Sequence, residues 1–226
     1  MRCFGVDLAL LMDIYGDTTS LSASAIRALE RVSRRRVHPD VITTLELGRS
    51  LADASQESGR QVGALVSRLG EVEQVIVGTP TGLMLPDIGR LRAAKGRFRA
   101  LRLIHTHLFN EGLTQDDLTD LTRLRLDLVC AILLTPQGEP KSFTWAYNVP
   151  KGRGEDEASQ RGYELVPPIA WGRPQPNFGQ MIEALESEFG RLEKNRTIEA
   201  KDGRAMLIHV GEKKRGPGAM RMARSR

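Results

Sequence analysis

The chain has 226 residues, 40% hydrophobic and 27% charged, which is apolar material for one good-sized domain or two small ones and excludes global disorder. No run approaches the roughly 18 apolar residues of a membrane-spanning helix, and Phe4–Met12, interrupted by Asp7 and followed by no small-residue cleavage site, does not read as a signal peptide. The net charge of +5 resides in residues 211–226, six Lys and Arg against Glu212, so the body is neutral and the tail attracts polyanions of any sequence.

In chain order, the Ser/Thr-rich stretch Thr19–Ser24 opens a helix expected over about 22–35. His38-Pro39-Asp40 ends it, because the residue before proline avoids helical angles. A second helix is expected from about Thr44 to Ser58, with Leu45, Leu51 and Ala52 on its apolar side. The pattern then changes. Gln61–Arg68 and Val72–Gly78 are apolar and β-branched around Leu69-Gly70-Glu71, which predicts a β-hairpin. Leu83–Leu85 is a candidate third strand, and Leu101–His107 a further one. Thr114 opens a helix to about Leu124, with Asp116 and Asp117 in the first turn, where negative charge suits the helix dipole. Leu126–Leu134 is apolar throughout, as in a central strand.

Ser142–Val149 is the next expected strand, its Phe143, Trp145 and Tyr147 alternating toward a core. Lys151–Gln160 reads as a loop. Glu164–Ile169 suits only a sheet edge, since Pro167 and Pro168 have no N–H to donate. Met181, Ile182, Leu185, Phe189 and Leu192 predict a long helix over 178–194. Ala205–Val210 is a strand without an evident partner, and the Gly-Pro-Gly-containing tail has no apolar period. The expected class is α/β, with a mixed sheet, N-terminal helices and a long C-terminal helix. Its divisions are a tail at 1–20, an α/β body at 21–172, a connecting helix and strand at 173–210, and a disordered basic tail at 211–226. Two distant cysteines, Cys3 and Cys130, make no disulfide framework, which fits a reducing cytoplasm.

The stretch richest in chemistry is Leu103-Ile104-His105-Thr106-His107, followed by Thr114-Gln115-Asp116-Asp117. Histidines at i and i+2 on a strand share one face. They stand at the strand's C-terminal end, where α/β sheets place sites, and Asp117 lies in the first turn of the next helix. Two imidazoles and a carboxylate form a three-ligand zinc set with an open fourth position. Thr114 is close enough to hold a water or a developing oxyanion. In the plainer alternative, the histidines only hydrogen-bond Asp117 and help cap the helix.

His105, His107, Thr114 and Asp117 resemble the metal motif of the JAMM deubiquitinase and RadC-like fold, in which His-x-His is followed by Ser-x-x-Asp. Here the intervening loop has six residues instead of seven, and threonine replaces serine. The resemblance implies a general-base glutamate near Arg60 or Gln61. No acid stands there, and Glu57 is the nearest.

A wider resemblance rests on Ile14-Tyr15-Gly16-Asp17-Thr18, Leu29-Glu30-Arg31, Gly59-Arg60-Gln61-Val62-Gly63, Val75-Ile76-Val77-Gly78, Leu85-Pro86-Asp87-Ile88-Gly89-Arg90 and Leu101 to Leu108. Asp116 to Leu121 and Leu124 to Val129 continue it. In this order these words are similar to the N-terminal extension of long-form HflX GTPases. That resemblance implies a module beside a G domain, association with the large ribosomal subunit, and GTP and Mg bound only by the full-length parent. No segment matches G-x-x-x-x-G-K-[ST], and Gly211-Glu212-Lys213-Lys214 lacks its spacing. The chain thus reads as a form truncated before the G domain, a regulatory or interaction module without GTPase activity. The alternative is a zinc-dependent hydrolase using His105, His107 and Asp117. RNA is a weaker candidate partner, through Arg31–Arg36 and through Arg90–Arg102 with Phe98, and a solvated face is the preferred reading of such runs.

Overall fold

The computed structural model describes residues 14–86, 88, 101–109, 111–124, 126–148, 163–184, 187, 207–208 and 221–222. Two capped helices come first. Ser22 caps α1 (Ala23–Ser33) by accepting the N–H of Ala25, and Thr44 caps α2 (Leu45–Ser58) by accepting that of Leu47. Gly59, at φ +65°, ends α2 in the left-handed region that glycine enters without penalty.

The sheet begins with β1 (Ile14–Tyr15), β2 (Val62–Val66) and β3 (Val72–Val77), and continues with β4 (Arg102–His107). α3 (Gln115–Arg123) then leads to β5 (Leu128–Leu134), β6 (Pro140–Asn148) and β7 (Tyr163–Ala170). The strand order is β1-β3-β2-β4-β5-β6-β7. The β1–β3 and β4–β5 pairs are parallel and the others antiparallel, so the sheet is mixed, as expected. β4, α3 and β5 form a βαβ unit, the ordinary way to join parallel neighbours.

Helices cover both faces. Val62, Ala64, Ile104, Cys130, Ile132, Phe143 and Trp145 pack in one core with α1, α2, Phe178 and Ile182. Leu65, Ile76, Leu103, Val129 and Ala146 pack in another with Leu118 and Leu121 of α3. Alternation along each strand divides the two. β5 is interior and buried along its length, and β7 lies at the edge, where its prolines cost no ladder bond. Residues 178–184 are helical, and Phe178 and Ile182 join the first core.

Four expectations need correction. Residues 83–85 form no strand; Leu83 and Leu85 pack half-buried against the second core. Ile14–Tyr15, assigned to a tail, pairs with Val75 and Ile76 as an edge strand too short to leave a sequence period. The strand at 205–210 is Leu207–Ile208 (β8), and the tail supplies its partner, Arg221–Met222 (β9). Arg102, counted in a basic surface patch, is wholly buried. Its guanidinium donates to the carbonyls of Val41 and Ser67 and lies 4.4 Å from the ring centroid of Phe178. Lys151–Gln160, Arg90–Arg99, Leu185, Phe189, Leu192 and Cys3 lie outside the described residues. Among those described, no helix is long and apolar enough to cross a membrane.

Candidate metal centre

β4 carries His105 and His107 on the face covered by α3, while Ile104 and Thr106 point to the other face. The neighbours in register with His105 are Gly63 on β2 and Ala131 on β5. Both are small, which leaves room for two imidazoles side by side. A Cβ at position 63 would lie 3.2 Å from that of His105 and 3.0 Å from Leu83 Cδ1. Neither small neighbour stood out in the sequence, because the register that gives them meaning is a tertiary property.

Asp117 arrives from the first turn of α3. Thr114 caps this helix in a reciprocal capping box with Asp117, so local helix chemistry fixes where the carboxylate stands. His105 Nε2 is 2.7 Å from His107 Nε2 and 3.1 Å from Asp117 Oδ1, and His107 Nε2 is 3.5 Å from Asp117 Oδ2. Both imidazoles are buried and the carboxylate nearly so. The sequence placed these three residues together, and the fold brings their ligand atoms within 4.8 Å of one another.

His107 Nδ1–H donates to the carbonyl of Glu111 at 3.0 Å, because a carbonyl can only accept. That bond fixes the tautomer and leaves Nε2 with a lone pair directed at the cluster. Burial, aided by repulsion from His105, lowers the pKa of His107 and holds the ring neutral, the form that ligates a metal. Burial pushes Asp117 up, but contact with His105 and the donors of Thr114 outweigh it and hold the carboxyl well below the usual range. His105 Nδ1 is buried and has no partner among the described residues.

Three donors on a tetrahedral zinc at about 2.05 Å lie about 3.3 Å apart. The two separations from His105 Nε2, 2.7 Å to His107 Nε2 and 3.1 Å to Asp117 Oδ1, lie near that value. Two imidazole nitrogens and a carboxylate oxygen also suit the borderline character of a divalent transition ion. The residues present therefore fit a bound metal ion.

The other candidates fall elsewhere. Thr114 is at the site, but its hydroxyl donates to Asp117 Oδ2 at 2.8 Å. Glu57 is exposed on α2 and accepts from Ser24 at 2.7 Å. α2 packs on the opposite face of the sheet, where Ser55 meets Thr106, so Glu57 does not reach the cluster. Arg34 and Arg36 are exposed and paired with Glu30 and Glu71, as on a solvated face. No family model matches the chain, and no curated protein matches it.

Proposed function

We propose that this chain is a zinc-binding, non-hydrolytic regulatory module of an HflX-like GTP-binding protein that associates with the large ribosomal subunit. The observation that carries the metal part is the convergence of His105 Nε2, His107 Nε2 and Asp117 on one buried point. The non-hydrolytic part is supported by the position of Glu57 across the sheet. It is supported also by the start of β2, where Arg60 and Gln61 offer no group that takes a proton at neutral pH. The HflX part rests on the ordered sequence words at residues 14–129, and the absence of a phosphate-binding loop from the sequence assigns GTP binding to a parent protein only.

His105, His107 and Asp117 would hold the ion, and zinc so held supplies Lewis acidity. One feature favours the alternative of a zinc hydrolase: three protein ligands leave a coordination position open, as in catalytic sites. Elemental analysis after equilibration with zinc and dialysis tests the metal centre. One zinc per wild-type chain and none in His107→Ala is the expected result. The loaded protein is then offered peptide and isopeptide substrates. Turnover that disappears in His107→Ala would replace the regulatory reading with the hydrolase. Co-sedimentation with purified large ribosomal subunits tests the ribosomal part, and a chain that stays in the supernatant sinks it.

A further inference from the structure

We infer that Thr114 is a positioning residue for the metal centre, one that pins Asp117 Oδ2 and so reserves Oδ1 for the metal; this rests on the zinc reading above. An aspartate carboxylate rotates easily about its last torsion, which has broad, two-fold wells. Here two donors act on a single oxygen. The backbone N–H of Thr114 reaches Oδ2 at 2.7 Å and the Thr114 hydroxyl reaches it at 2.8 Å. Oδ1 faces His105 Nε2 at 3.1 Å, whereas Oδ2, 3.5 Å from His107 Nε2, carries both Thr114 donors. The donors thus distinguish two otherwise equivalent oxygens.

The hydroxyl is also occupied in its second capacity, accepting the N–H of Asp117 at 3.3 Å. A hydroxyl has one proton, and that of Thr114 goes to the carboxylate. It is therefore not left over to hold a developing oxyanion, the role that the sequence suggests. The segment from Glu111 to Thr114 acts as one device: the carbonyl of Glu111 orients His107, and Thr114 orients Asp117. Partners of this kind, one step out from the ion, set ligand direction and typically change metal affinity 10–100-fold when removed.

The test measures zinc affinity of the full chain by competition with a chromophoric chelator. Thr114→Gly separates positioning from capping, since glycine at the cap costs a helix little while removing the hydroxyl. The expected result is about tenfold to a hundredfold weaker zinc binding in Thr114→Gly, with little change in the melting temperature of the metal-free protein. Thr114→Ser should bind as wild type. Thr114→Ala removes the same hydroxyl while keeping Cβ, so loss of folding in one variant leaves the other decisive. Cobalt(II) gives a second readout: its d–d bands should shift in Thr114→Gly and not in Thr114→Ser. Wild-type affinity and an unshifted spectrum in Thr114→Gly would overturn the inference and leave Thr114 as a cap only. Wild-type zinc affinity in His107→Ala would instead mean that the metal centre itself is wrong.

Discussion

The imidazole of His107 is oriented by the Glu111 carbonyl and held neutral by burial, and that neutrality has a thermodynamic consequence. In the unfolded chain a histidine titrates near pH 6.5. Because the folded value is lower, the unfolded state binds more protons on acidification, so stability falls as pH drops below about 6.5. Asp117 acts in the same direction at lower pH. Its folded value is depressed, so its contribution is present above the ordinary carboxylate value and is lost as pH falls below it. The melting temperature of the metal-free protein should therefore decline from pH 7 to pH 5, and the decline should be flatter in His107→Ala. A melting temperature that rises on acidification contradicts this account. The residue types and spacing of His105, His107 and Asp117 were legible in the sequence. Gly63 and Ala131 were not, because their only signature is their smallness beside His105.

α2 shows packing overruling helix propensity. Gly48 lies inside this helix, where alanine is ordinarily better by about 1 kcal/mol. A Cβ there would come within 2.0 Å of the Trp171 indole, which also packs edge-on against Phe143 with ring centroids 5.8 Å apart. Forcing such a contact typically costs about 1–3 kcal/mol, so the clash wins. Gly48→Ala should lower stability in a denaturant titration, and a gain would show that Trp171 swings aside freely. Helix limits were legible because Ser22, Thr44 and Thr114 are local capping signals. β1 was not, since two residues carry no period and Ile14–Tyr15 is a strand only because the edge of β3 receives it.

Across the molecule, segments distant in sequence are held by a few polar groups at least half-buried. Gln175 accepts from the N–H groups of Ile42 and Thr43 and donates to the carbonyl of Thr43, and the N–H of Phe178 donates to the carbonyl of Asp40. Residues 175–178 are thereby stitched to the link between α1 and α2. Arg102 stands beneath the same link and ties it to the β2–β3 turn through Val41 and Ser67. Burial lowers its pKa to about 10, so it remains charged at neutral pH. Replacing a buried ion with an apolar side chain is often harmless. Here, however, Arg102→Met strands the half-buried carbonyls of Val41 and Ser67, each costing up to about 1–3 kcal/mol, and removes the contact with Phe178. The expected loss is about 2–4 kcal/mol, or a melting point lower by roughly 2–4 °C for each kcal/mol. An unchanged melting point would show that Arg102 is not the clip described.

What the sequence determined by itself was mostly of short range: the caps, the hairpin, the edge strand marked by Pro167 and Pro168, the mixed α/β class and the spacing of the three residues that could hold a metal ion. These follow from the 3.6- and 2-residue periods and from side-chain chemistry within a few positions. Tertiary structure alone decided which face of the sheet each helix covers. That choice separated Glu57 from the histidines and buried Arg102. A strand's alternation says which residues share a side, but only the packing of α2 on one face and α3 on the other says what they meet there.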